Sequence, residues 1–303
     1  MPRLSLKELG EIFIISFQEF KRNEPLRLAG ATAFFTTFAL PPILIILVRV
    51  IGLVFTISNL RYKFFIHLSE MLGQQSAAQI RITILGFISL ANNWVFAIGG
   101  FIFLMFVATT LFKVIKDSLN QLWNVRPAGK QTFKLQLQSR LVSLIIILFA
   151  GLLFLGGIVA EGIEVYLHQH SGTLHPDTAN FLTTLLKNFF SVVIVATWFS
   201  ILFKVLPDAK PTWKVVIAGG LFTGILFSFG KVIIRYALSR GNLTNIFGAS
   251  SSIVLLLLFV FYSAFILYYG ACFTKVFAIY IKEPIQAAAH AIQYKMVEVK
   301  NHE

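Results

Sequence analysis

Six apolar stretches decide what this chain can fold into, because each approaches or exceeds the roughly 20 residues needed to cross a bilayer core. They run approximately over residues 28–55, 94–115, 141–165, 183–206, 215–236 and 252–279. A soluble domain has no use for so many, and composition agrees. Hydrophobic residues make up 57% of the 303, and charged residues only 13%, too few to cover a water-facing surface. The 32 phenylalanines suit helices that face acyl chains. The expected fold class is an all-α integral membrane protein with six transmembrane helices.

Orientation follows from Lys and Arg in the connections. The N-terminal arm, the 116–140 loop, the 207–214 loop and the 280–303 tail hold fifteen. The alternate connections, 56–93, 166–182 and 237–251, hold four: Arg61, Lys63, Arg81 and Arg240. Basic residues stay on the cytoplasmic side, so both termini are expected there. The formal charge of +13 then reflects membrane topology and gives no reason to expect a nucleic-acid partner.

Three regions follow: a cytoplasmic N-terminal helix over 1–27, the six-span domain over 28–281, and a basic cytoplasmic tail over 282–303. Leu6, Leu9, Phe13, Phe17 and Phe20 recur at helical spacing, with Glu8, Glu11 and Glu19 opposite. The stretch lacks the pattern of a cleavable signal peptide and reads as an amphipathic interfacial helix, or one packed on the membrane domain. Pro41 and Pro42 each remove a backbone donor and should kink the first span. Trp94, Trp123 and Trp213 fall near span ends, as interfacial belts do, with Trp198 deeper. The outer loop 56–93 has an amphipathic helical look, and 113–123 reads as the second span continuing into the cytoplasm. Gly220 and Gly224 form a GxxxG, and Gly151, Gly156 and Gly157 interrupt the third span. Such residues let helices approach within one chain or between copies, which leaves a homo-oligomer open.

Seven basic residues lie in or beside the spans. Lys113, Lys204 and Lys275 sit at cytoplasmic ends, where long side chains snorkel to water. Lys187 can pair with Glu161 or Glu164. Arg49, Lys231 and Arg235 remain in the outer half, with Asn245 in the polar link after the fifth span. One reading is an outward-facing basic cavity for an anionic lipid or a phosphorylated small molecule, gripped by guanidinium forks and a lysine point charge. The other is three side chains snorkelling to bulk phospholipid headgroups.

His168, His170, His175 and Asp177 share a loop rich in turn residues, and a solvated loop is the plainer reading than a metal site. The single cysteine, Cys272, excludes an intrachain disulfide. Asp117, Asp208, Glu283 and Glu298 are scattered on the cytoplasmic side, and no phosphate loop, nucleophile elbow or HExxH helix occurs, so no catalytic residues and no cofactor are expected.

Short motifs in a fixed order carry a family likeness: Leu40-Pro41-Pro42, Leu202-Phe203-Lys204-Val205-Leu206-Pro207, Gly230-Lys231, Tyr236, Asn245-Ile246-Phe247-Gly248-Ala249 and Tyr269-Gly270-Ala271. Over residues 10–280 the chain resembles the YihY/BrkB family of bacterial inner-membrane proteins, formerly labelled ribonuclease BN-like. The resemblance implies a six-helix inner-membrane protein with transport or export of lipid-related or other anionic compounds as the favoured activity. A non-transporting scaffold is the alternative, and a membrane-associated ribonuclease gains nothing from these residues. The family pattern has an acidic residue where this chain has Cys272, Tyr where it has Phe247, and Arg where it has Lys204.

Overall fold

In the computed structural model the described residues are 5–54, 94–129, 140–143, 145–153, 176–240 and 251–295, with 66, 69, 74, 77–78, 80–82, 138 and 156. They are overwhelmingly helical. In chain order come α1 (Leu6–Arg22), α2 (Pro25–Val54), α3 (Trp94–Leu122), the shorter apolar α4 (Arg140–Leu153), α5 (Pro176–Val205), α6 (Trp213–Arg240) and α7 (Ser251–Tyr280). Four very short strands complete the set: β1 (Val125–Pro127), β2 (Ala209–Lys210), β3 (Gln286–Ala287) and β4 (Ala291–Gln293).

Three helical stretches among the described residues are long and apolar enough to cross a membrane: Asn188–Val205, Trp213–Ile233 and Ile253–Tyr280. They coincide with the last three expected spans. A helix of thirty residues, such as α7, is about 45 Å long, so its ends project beyond a hydrocarbon core of about 30 Å. α3 continues without a break from the apolar span through Leu122, as the sequence suggested. α2 also runs unbroken through Pro41-Pro42, so the prolines do not end it. The few described residues of the 56–93 loop are helical; Ala77 and Ile80 are buried, whereas Ile66 and Ile82 are exposed.

Small residues set the packing. α6 lies between α5 and α7, and α7 packs in turn against α2, which contacts α3. On α6, a Cβ at Gly220 would stand 2.6 Å from the Ala196 carbonyl oxygen, and one at Gly224 would stand 2.9 Å from the Ala196 nitrogen. The GxxxG therefore serves a close contact with α5 inside the chain. On the α7 side the arrangement is reciprocal. Thr274 fills the space a side chain at Gly219 would take, and Thr223 does the same at Gly270. Both threonines are fully buried, and each hydroxyl donates to a carbonyl of its own helix, Thr223 to Gly219 at 2.6 Å and Thr274 to Gly270 at 2.7 Å. The third face of α6 carries Ile217, Leu221, Ile225, Phe229 and Ile233, four residues apart and all exposed. In water such a ridge would be a liability, whereas against acyl chains it is the ordinary exterior of a membrane helix.

α1 begins with a capping box, in which the Glu8 amide donates to Ser5 Oγ and the Ser5 amide to Glu8 Oε2. It packs on α7, but its buried stripe is Ile12, Ser16 and Phe20. Phe17, expected on the apolar face, is half-exposed and meets Tyr269 edge-on. The turn of the helix is set by aromatic contacts: Phe13 against Phe222 and Phe273, and Phe20 against Phe265.

The seam yields a contrast. Gly220→Ala and Gly224→Ala each force backbone apart and should lower stability by about 1–3 kcal/mol. Gly10→Ala, with nothing within 4 Å of the added carbon, should raise it by about 0.5–1 kcal/mol through helix propensity. Melting of the three purified variants in one detergent checks both signs.

Candidate functional site at the strapped end of the bundle

The ends of α3, α5 and α7 and the start of α6 meet at one end of the molecule, where both ribbons form. β1 pairs antiparallel with β4, Val125 opposite Gln293 and Pro127 opposite Ala291. β2 pairs antiparallel with β3, Ala209 opposite Ala287. The segment after α7, read from sequence as a plain basic tail, thus becomes a strap over residues 286–293 joining the exit of α3 to the α5–α6 link. The chain turns into it at Lys282, whose φ of 60° lies in the left-handed region, as does Asn124 at the end of α3 with φ 57°.

Asp208 sits at the centre of this end with its side chain 5% exposed. Its Oδ1 accepts from Lys116 Nζ at 2.8 Å and faces His290 Nε2 at 2.7 Å. Asn120, one turn beyond Lys116 on α3, donates Nδ2 to Asp208 Oδ2 at 3.0 Å and accepts the Asp208 amide at 2.8 Å. The Asp208 carbonyl accepts from Ala288 N at 2.9 Å. One residue therefore ties α3, the α5–α6 link and the strap. Burial pushes its carboxyl up, but the bonds from Lys116 and His290, the Lys116 charge and the bond from Asn120 outweigh it and hold the group below its ordinary value of 3.8.

A second knot joins α1, α3 and α7. Lys275 Nζ donates to Glu19 Oε1 at 2.6 Å and also to Asn124 Oδ1. Beside it, Trp123 Nε1 donates to the Ala271 carbonyl at 3.0 Å. Three sequence expectations are corrected here. Lys275 does not snorkel to water, because Glu19 neutralises it within the fold. Glu19 does not lie on a solvated face of α1. Trp123 is no belt residue, since it is 1% exposed, whereas Trp213 is exposed as a belt residue should be. Lys204 is held too, donating to the Pro211 carbonyl at 2.6 Å over the Trp213 ring.

The basic residues expected to bind an anion are not assembled among the described side chains. Lys231 lies half-buried on α6 and is already engaged in a contact. Arg235 follows one turn later on the same continuous helix, and Arg49 lies on α2, but both side chains fall outside the described residues, as do those of Pro41, Pro42 and Lys187. Asn245, Glu161, Glu164, His168, His170 and His175 lie outside them, and Asp177 lies on the first turn of α5 with its side chain outside them. The Asp208 hub went unrecognised because its partners stand 82 to 92 positions away; only the Lys116–Asn120 helical spacing hinted at it.

The Virulence factor BrkB family model matches residues 16–293, from the middle of α1 to the last residue of β4. The chain belongs to this family. Both charge knots and the whole strap fall inside the matched span. Among relatives, a UPF0761 membrane protein of Pseudomonas paraeruginosa is 24% identical over 246 residues, covering 80% of this chain and 57% of that protein. One of Bordetella petrii is 22% identical over 273 residues, covering 88% and 57%. One of Mannheimia succiniciproducens is 24% identical over 284 residues, covering 91% and 92%. The chain thus spans little more than half the length of the first two and nearly all of the third. No solved structure matches.

Charge-neutral Asp208→Asn leaves the Lys116 ammonium buried without its counter-charge and should lower stability by about 3 kcal/mol. The sign with pH is also fixed. A depressed carboxyl contributes stability that is full above the ordinary value of 3.8 and is lost as pH falls through the lower folded value. Melting temperatures followed from neutral pH into this acid range should fall more steeply in the wild type than in Asp208→Asn.

Proposed function

We propose that this BrkB-family chain is a six-span protein of the bacterial inner membrane, with both termini cytoplasmic, that transports an anionic lipid or a phosphorylated small molecule. The strapped end is its cytoplasmic end, in keeping with the bias of fifteen basic residues against four. The substrate is engaged at the opposite end.

The observation that carries this reading is the position of two cations on α6. The helix runs unbroken from Trp213, which is exposed beside the strap, to Arg240. Along that axis Lys231 and Arg235 stand about 27 and 33 Å from Trp213. A hydrocarbon core of about 30 Å puts both near the outer boundary, one turn apart, where a phosphate can be met without stranding charge in mid-bilayer. Guanidinium and ammonium together suit a phosphate monoester or diester. Arg49 on α2 and Asn245 in the α6–α7 link are assigned to the same outer end. No catalytic step, metal or cofactor enters this reading.

The scaffold alternative uses the N-terminal helix and the basic tail to recruit partners to the membrane. Phe20 is buried against α7, and residues 286–287 and 291–293 are strand-paired, so both segments are built into the fold. Deleting either would unfold the inner end and would not isolate a recruiting role.

A Lys231→Gln/Arg235→Gln double variant tests the transport reading after reconstitution into phosphatidylcholine vesicles. Transfer of labelled phosphatidylglycerol, or efflux of an entrapped sugar phosphate, should fall by about tenfold or more, as expected for losing two charge-assisted contacts. A folded double variant that moves both probes at the wild-type rate would contradict it, and the two probes separate a lipid from a free phosphate.

A further inference from the structure

We infer that the C-terminal strap is a latch on the inner end of the bundle, and that its release uncovers the contact between α3 and α7. The strap touches two elements that do not otherwise share a ribbon: the exit of α3 through β1, and the α5–α6 link through β2. Each ribbon is only two or three residues long, so backbone pairing alone is a weak hold. The hold comes from side chains, and the bond nearest water is His290 to Asp208. The His290 side chain is 44% exposed, while its partner is buried. Other charged groups around Asp208 are Lys116, in direct contact, and Asp117, whose charge it feels, both on α3.

What the latch covers follows from α3. Asn120 is fixed by Asp208, and the next turn lays Trp123 on the Ala271 carbonyl and Asn124 on Lys275. Between those two contacts on α7 lies Cys272, fully buried and the only cysteine in the sequence. Separation of the α5–α6 link from α3 must break the Lys116 and Asn120 bonds to Asp208 and, because the strap pairs with both elements, one of the two ribbons as well. It leaves the end of α3 without its anchor and opens a path to Cys272. The strap is thus a device that fixes whether the inner end is closed. The inference rests on this geometry and stands apart from any choice of substrate.

The native thiol is the reporter. In the purified full-length protein, N-ethylmaleimide labelling of Cys272 reads the opening of the inner end without any transport measurement, so its outcome is separable from that of the flux experiment. His290→Gln should label about tenfold faster than the wild type, the effect expected when one charge-assisted bond no longer opposes local opening, and Asp208→Asn, which also loses the Lys116 pair, should label faster still. Lys214→Gln breaks the exposed pair with Glu283 outside the latch and should label at the wild-type rate. Should Asp208→Asn fail to fold, His290→Gln, altered at a half-exposed side chain, decides alone. Wild-type labelling in folded His290→Gln, or equal acceleration by Lys214→Gln, would overturn the latch.

Discussion

The buried carboxylate of Asp208 is the interaction on which the order of the strapped end depends. It is reached by an ammonium and an amide from α3 and by an imidazole from the strap. Such a group is costly to desolvate, and replacing a buried ion pair by apolar residues is often neutral or stabilising. Its value here is positional. Hydrocarbon surfaces slide past one another with little preference, whereas a carboxylate with partners fixed on both oxygens admits one register between α3 and the α5–α6 link. The Glu19–Lys275–Asn124 knot does the same for α1, α3 and α7.

Away from that end, shape replaces charge. In a bilayer, helix association gains nothing from excluding water, so close packing must supply the attraction. α6 meets this demand with glycines on two faces, seating Ala196 and Ser200 of α5 on one and Thr274 of α7 on the other, while its third face offers branched and aromatic side chains to lipid. The molecule therefore divides along its axis, with a polar, strapped end, a small-residue middle and, on α6, Lys231 and Arg235 toward the opposite end. That gradient is what motivates the proposal of anion transport through the end opposite the strap.

Much of the frame was legible in the chain because it depends on properties that act locally. Apolar length marked the last three spans, and Gly220 and Gly224 marked a close approach, since only the missing Cβ permits it. Contacts between distant positions left no such trace. Glu19 and Lys275 are 256 residues apart, and Glu19 on its own looks like a solvated acid. Trp123 at a span end looks like a belt residue until Ala271 supplies its acceptor. Strands of two or three residues are too short to show an alternating pattern, so the strap read as tail. The face of α1 was misjudged toward Phe17 because Ile12, Ile14 and Ile15 make the helix apolar on several sides, and only α7 chooses among them.

The central claim is that the strapped end faces the cytoplasm and the α6–α7 link faces out. Site-directed labelling tests it most directly. In a Cys272→Ala background, Gly241→Cys and Lys295→Cys are exposed in turn to a membrane-impermeant maleimide on intact spheroplasts. Labelling at position 241 in intact cells, with position 295 labelled only after permeabilisation, is the predicted result. The reverse pattern would contradict the orientation and, with it, the assignment of Lys231 and Arg235 to the outer surface.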